Sequence, residues 1–314
     1  MSRFFNESRK ARQSASHVSD RPNVDLHQAV SNLKERMGAQ SKGSSHASEL
    51  TFRNAAIPLE DSNELAAQVT EVRLEKCRRM RLPRTEEKSF LLAQYNDSMQ
   101  AAVEAYRTLR TRLVKQQTRQ GTRSLVITSA APGEGKTLTA LNLALCYAKI
   151  ENWPVLLIDA DLRTRGLSLL LGHPPAPGLG ELLEDGSSYE SAILRTDMPN
   201  LYFLPAGDSS APPPELFSGA NWKELIGWCS ESFRMVIIDS PPVLNLADFE
   251  LIAAPCESTL VIVRARKSQR DSLAKILAQV EPGKLAGIVF NSTEETQNGY
   301  YRYTGPPSDR KPTS

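Results

Sequence analysis

The sequence predicts an α/β protein: a doubly wound, mostly parallel sheet with helices on both faces, preceded by a polar, partly helical N-terminal region. Three observations carry this. From Ser124 onward, short β-branched or leucine-rich runs recur as LVITS, VLLIDA, LYFLPA, MVIIDS, TLVIVRA and LAGIVFN. The runs are continuously apolar rather than alternating, which marks strands buried on both faces. Segments long enough for helical crossovers separate them, and such crossovers are right-handed almost without exception.

The elements follow in order. Residues 1–89 form a basic, polar N-terminal region. Within it, VDLHQAVSNLKERMG (residues 24–38) places Leu26, Ala29, Val30, Leu33 and Met37 at helical spacing, with Asp25 near the start and Gly38 at the end. It reads equally as an amphipathic docking helix or as a frayed surface helix; the rest of residues 1–50 reads as disordered. A second helical pattern covers 62–80 and ends in the charged run EKCRRMRLPR. The third is the clearest, from 90 to 117, with Leu92, Tyr95, Met99, Val103, Tyr106, Leu109 and Leu113 along one stripe. It opens the α/β domain, which extends to residue 298. Residues 299–314 form a flexible polar tail carrying Tyr300, Tyr301 and Tyr303, with no core to bury them.

Composition narrows the function. The 314 residues carry a net charge of +2. Up to Arg123 there are 22 Lys and Arg against 14 Asp and Glu, a net of +8, so the remainder carries −6. A basic arm before a mildly acidic domain fits contact with anionic lipid, nucleic acid or an acidic partner, and equally a solvated helical arm. Cys77, Cys146, Cys229 and Cys256 are scattered without metal-ligand spacing, as expected of reduced thiols in a cytoplasmic protein. The start, MSRFFNESRKAR, lacks the apolar stretch of a signal peptide, and no run approaches the ~18 apolar residues of a membrane helix.

The chemistry concentrates in SAAPGEGKT, directly after LVIT and directly before LTALNLALCYAK. A phosphate-binding loop needs glycines that let backbone N–H groups close on phosphate oxygens, a helix N-terminus behind them, a lysine for the β/γ oxygens and a hydroxyl for Mg²⁺. Pro132, Gly133, Glu134, Gly135, Lys136, Thr137 and Leu138 supply that set. VLLIDADLR ends a strand with Asp159 and Asp161, and MVIIDSPPV ends another with Asp239. Ligands of doubly wound sheets collect outside the carboxyl ends of the strands, so three acids arrive beside the loop. Mg²⁺ takes few protein ligands, which leaves one acid as direct ligand, one acting through water and one for chemistry. Guanine selectivity usually needs Asn-Lys-x-Asp; here the last strand runs into Asn291-Ser-Thr-Glu, so ATP is expected, with Asn291 either a contact to the base or a turn residue.

These residues resemble a known family. The set TSAAPGEGKT with NLA, LIDADLR, IIDSPPV, the stretch LPAGDSSAPPPELF and the closing strands is similar to the bacterial tyrosine kinases (BY-kinases) of capsule and exopolysaccharide biosynthesis and export, in their cytoplasmic form. The resemblance covers residues 90–303. It implies an ATP- and Mg²⁺-dependent tyrosine autokinase whose phosphoacceptors are Tyr300, Tyr301 and Tyr303. Lys136 holds the β/γ-phosphates, Thr137, Asp161 and Asp239 serve the metal, and one of Asp159 and Asp161 accepts the phenol proton. Glu104, Arg107 and Arg110 match the family's E-x-x-R-x-x-R helix, which implies a homo-oligomeric ring and transfer between subunits; spacings of three also suit an ordinary surface ion pair. The implied partners are a membrane-embedded polysaccharide co-polymerase, or chain-length-determinant protein, as activator, and an opposing tyrosine phosphatase, with no nucleic acid. The implied location is the cytoplasm, recruited to the inner face of the membrane. The same fold houses ParA/MinD-type ATPase switches, the alternative reading, but those place a signature lysine where this chain has Ala131. A nucleotide-gated scaffold is a further alternative, disfavoured by the intact acids.

Overall fold

The computed structural model describes residues 74–83, 100–173, 177–243 and 248–292. In chain order the elements are β1 (Arg78–Met80), α1 (Gln100–Gln120), β2 (Ser124–Ser129), α2 (Lys136–Ala148), β3 (Val155–Asp159), α3 (Gly166–Leu170), α4 (Leu179–Asp185), α5 (Tyr189–Ala192), β4 (Leu194–Thr196) and β5 (Leu201–Leu204). There follow α6 (Pro213–Ser218), α7 (Ala220–Ser232), β6 (Met235–Asp239), α8 (Asp248–Ala253), β7 (Ser258–Arg264), α9 (Arg270–Gln279), a 3-10 turn (Pro282–Lys284) and β8 (Leu285–Asn291). All six expected strands are present.

The strands form one eight-stranded sheet in the order β1-β4-β5-β3-β6-β2-β7-β8. Every neighbouring pair is parallel except β4 with β5, which are antiparallel. The chain leaves β2 toward β3 on one side and later returns to lay β7 against the other side of β2. That reversal opens a crevice at the carboxyl end of β2.

Alternation along each strand divides the apolar residues between two cores, one on each face of the sheet. Val126, Leu156, Ile158, Val236, Ile238 and Val261 face one core, covered by residues of α4, α6, α7, α8 and α9. Leu125, Ile127, Leu157, Ile237, Leu260 and Ile262 face the other, filled by α2 and covered in part by α1. Helix α2 is buried from Thr139 through Ala148, so it behaves as interior rather than surface. The stripe predicted for 90–117 appears on α1, where Tyr106, Leu109, Leu113 and Val114 pack on that second core; residues 84–99 lie outside the described region.

Two short strands were not expected. The helical pattern assigned to 62–80 gives way after Glu75, and Arg78–Met80 forms the edge strand β1, parallel to β4. The sheet therefore takes in residues that the sequence groups with the N-terminal region. The reason is local: Leu74 and Cys77 are buried in one core and Leu82 in the other, a change from helical to strand periodicity over a few residues. The Leu82 N–H donates to Asp197 Oδ1 at 3.0 Å, fixing the exit. The segment 24–38 and residues 293–314, with their three tyrosines, lie outside the described residues.

Trp222 ties α7 to its neighbours α6 and α8. It is 1% exposed, donates its indole N–H to the Ile252 carbonyl at 3.2 Å and meets Phe217 edge-on at 5.2 Å. Trp222→Ala is expected to cost about 3–5 kcal/mol, measured as a lower midpoint in urea unfolding.

Candidate active site

The loop between β2 and α2 adopts the conformation its glycines permit. Gly133 and Gly135 have φ of 76° and 98°, left-handed values that side chains resist. The loop is braced from the β7–β8 side. Arg264 Nη1 donates to the Gly133 carbonyl at 3.0 Å, and Asn291 Nδ2 donates to the Glu134 carbonyl at 2.9 Å. In a planar trans peptide the next N–H points opposite to the carbonyl. Drawing these two carbonyls toward β7 and β8 therefore turns the amides of Glu134 and Gly135 the other way, as a phosphate cradle requires.

Glu134 takes part in that bracing. Its side chain is 1% exposed; Oε2 accepts the Ala131 N–H at 2.9 Å and Oε1 accepts the Ser268 hydroxyl. Only its backbone is left to face a nucleotide. Asn291 is likewise committed: beyond its bond to Glu134, its Oδ1 accepts the Ser292 N–H at 2.8 Å. It stands against the phosphate loop and closes a turn. Pro132 and Gly133 are exposed at the rim, and Leu138 is 40% exposed on the first turn of α2.

The three acids converge as expected. Asp159 and Asp239 are direct partners across the β3–β6 ladder and both are fully buried; Asp161 is 2% exposed. Lys136 Nζ reaches Asp161 Oδ2 at 3.4 Å, and Asp161 Oδ1 accepts the Thr164 N–H at 3.1 Å. Asp159 Oδ2 accepts both the N–H and the hydroxyl of Ser168, each at 2.7 Å. Its Oδ1 and both oxygens of Asp239 are buried without a hydrogen bond of ordinary geometry. Burial raises Asp159 to about 6, with the Ser168 bonds opposing. Burial raises Asp239 to about 7, opposed by the Lys136 charge and the facing Thr137 hydroxyl and reinforced by Asp159.

Three orphaned carboxylate oxygens beside a lysine and a hydroxyl fit a hard cation shared with phosphate. Among the described residues no group of acidic, His or Cys side chains could hold an ion alone. Mg²⁺ takes few protein ligands and keeps waters and phosphate oxygens in its shell, so its fit rests on the orphaned oxygens and the Thr137 hydroxyl.

Sequence reasoning missed several contributors. Ser168 and Ser268 hold site carboxylates, Arg264 braces the loop, and Arg163 pairs with buried Asp248 through Nε at 2.7 Å and Nη2 at 3.1 Å. The helix motif divides: Glu104 and Arg107 pair at 3.2 Å, each side chain 49% exposed, whereas Arg110 Nη1 donates to the Cys146 carbonyl at 2.9 Å. Among the described residues no helix is long and apolar enough to cross a membrane.

This loop, sheet and acid set define an ATP-binding P-loop protein, and residues 122–285 match the AAA domain model. The chain is 33% identical over 204 residues to tyrosine-protein kinase YwqD of Bacillus subtilis, covering 64% of this chain and 86% of that one. It is 34% identical to tyrosine-protein kinase ptk of Acinetobacter johnsonii, covering 68% of this chain but only 29% of that longer one. The kinase domain of Escherichia coli tyrosine kinase ETK superposes with a TM-score of 0.61 at 25% identity, over 72% of this chain and 93% of that domain. The chain belongs to the bacterial tyrosine-protein kinases and is a protein-tyrosine kinase.

Two outcomes are expected. A Cβ at Gly135 would lie 2.1 Å from Asn291 Nδ2 at a φ of 98°, so Gly135→Ala should displace Asn291 and abolish nucleotide binding in a fluorescent-nucleotide titration. The raised carboxylates make the nucleotide-free protein less stable as pH climbs. Between the unfolded carboxyl value near ~4 and their folded values of about 6 and 7, the native state retains protons the unfolded chain has lost. The melting temperature should therefore fall from pH 5 to pH 8, and Asp239→Asn should flatten that fall relative to the wild type.

Proposed function

We propose that this kinase is an autokinase that transfers the γ-phosphate of ATP to Tyr300, Tyr301 and Tyr303, between subunits, in the control of exopolysaccharide or capsule biosynthesis and export. The observation that carries it is the cluster of three buried acids around Lys136 at the crevice from which the C-terminal segment departs. Ser292 follows Asn291, which touches the phosphate loop, and the eight residues from there to Tyr300 span up to about 29 Å when extended. That reach is long enough for the chain's own site, and transfer to a neighbour's follows if the subunits assemble into a ring.

Lys136 and the loop amides hold the β/γ-phosphates. Thr137 and Asp239, with Asp161 once Lys136 turns to the phosphates, would hold Mg²⁺, which would neutralise phosphate charge when bound. For the proton of the attacking phenol, Asp159 is favoured over Asp161. Both Asp161 oxygens are engaged, by Lys136 and Thr164, whereas Asp159 Oδ1 has no hydrogen bond of ordinary geometry and burial raises the group to about 6. A phenol near pKa ~10 needs only assistance as charge develops, because phosphoryl transfer rests mainly on positioning and electrostatics.

The exposed Glu104–Arg107 pair is free to exchange partners with a second copy and supports a homo-oligomeric ring, while Arg110 serves the subunit's own α2. A separate membrane-embedded co-polymerase or chain-length determinant would recruit and activate the kinase at the inner face of the membrane, and a tyrosine phosphatase would reverse it. Mass spectrometry before and after incubation with Mg·ATP should place phosphate on Tyr300, Tyr301 or Tyr303, and Lys136→Met should carry none while melting like the wild type. Brisk ATP hydrolysis with an unmodified tail would instead favour an ATPase switch.

A further inference from the structure

We propose that Ser168 is a positioning residue for Asp159: it saturates one carboxylate oxygen and leaves the other as the working atom. The inference rests on the reading that Asp159 faces the reacting group, and adds that its Oδ1, one of the three orphaned oxygens beside Asp239, also serves the cation.

Ser168 is 6% exposed on α3, and all of its polar capacity is assigned by its neighbours. The Ala206 N–H donates to Ser168 Oγ at 2.9 Å. With that acceptor role filled, the hydroxyl proton goes to Asp159 Oδ2 at 2.7 Å, joined by the Ser168 N–H at 2.7 Å. Two donors on one oxygen fix the plane of the carboxylate and favour its charged form. Oδ1 is then the oxygen left buried without a hydrogen bond of ordinary geometry, with the Asp161 backbone N–H the nearby group that also favours the charged form. A lone hydroxyl on a helix five residues long would drift, but this one is anchored on a rigid wall. The same wall accepts the Leu179 and Gly180 N–H groups at the carbonyls of Pro205 and Ala206, both at 2.8 Å. Gly178 packs so closely that a Cβ there would lie 2.5 Å from the Pro205 carbonyl and the Gly207 nitrogen. The 205–208 segment thereby aims the Ser168 hydroxyl, which joins the Ser168 N–H in setting the orientation of Asp159.

The test uses the full chain with Ser168→Ala and Ser168→Thr, reading two quantities: the maximal rate of autophosphorylation, and the tightening of ADP binding on adding Mg²⁺. Ser168→Ala should bind ADP without metal as the wild type does, yet lose about tenfold in both quantities, the usual cost of removing a partner that orients a ligand. Ser168→Thr, which keeps the hydroxyl, should recover most of each. In an Asp159→Asn background, Ser168→Ala should add nothing further to the Mg²⁺ defect, because its effect passes through that carboxylate. Wild-type values in Ser168→Ala, no recovery with threonine, or an additive loss in the double variant would each overturn the proposal. Should the wild type form no phosphotyrosine, the kinase assignment of Asp159 fails by itself, and the Mg²⁺-dependent ADP binding still decides on Ser168.

Discussion

Burial of negative charge at the carboxyl ends of β3 and β6 is the constraint on which the rest of the molecule depends. Asp159 and Asp239 stand opposite each other in the ladder with no exposure, and Asp161 lies two residues on. Charged carboxylates this close and this dry repel one another and lack water, so Lys136 alone does not balance them. Their raised values express that imbalance. A cation bound together with a polyphosphate would relieve it, so the burial that raises these acids would also favour such a ligand. The sheet supplies what this needs: strands buried on both faces and unable to splay the acids apart.

The phosphate loop is held from the side opposite the acids. Arg264 and Ser268, at and just beyond the end of β7, and Asn291, at the end of β8, take up the Gly133 carbonyl, the Glu134 side chain and the Glu134 carbonyl. The loop is thus suspended between a wall of donors that fixes its carbonyls and a cluster of buried acids. Because Asn291 is the last residue of β8, the segment that leads to the tail starts from the brace itself. Occupancy of the cradle and the departure of the C-terminal segment are mechanically adjacent.

Much of this was legible in the sequence, for identifiable reasons. The six long strands announce themselves because burial on both faces demands uninterrupted apolar runs, and the acids because a charged residue closing such a run has nowhere to go but the strand end. The short strands β1 and β4 escaped notice. Three residues carry no periodicity, and Arg78 and Arg79 look like a charged helix surface until the sheet edge claims their backbone. Ser168, Ser268 and Arg264 escaped for another reason: their partners are 9, 134 and 131 residues away, and hydrogen bonds at such separations leave no spacing to read. The sequence leaves Asn291 open between a base contact and a turn; in the structure its Nδ2 donates to the Glu134 carbonyl and its Oδ1 accepts the Ser292 N–H.

The division of labour between Arg107 and Arg110 follows from where α2 ends. Helix α2 begins at Lys136, under the phosphate loop, and finishes near Cys146, whose carbonyl accepts Arg110. A guanidinium at the C-terminus complements the helix dipole there, as phosphate does at the N-terminus. Thirteen residues make a rod of about 20 Å that is buried almost all round, and close-packed interiors do not let such a rod shift without their neighbours. Arg110 therefore clamps α1 to the far end of the element that carries Lys136, while Arg107 and Glu104 remain half exposed on the outer side. Whatever docks on that outer side presses on a helix packed against α2, so the surface of α1 and the phosphate site are joined through that element.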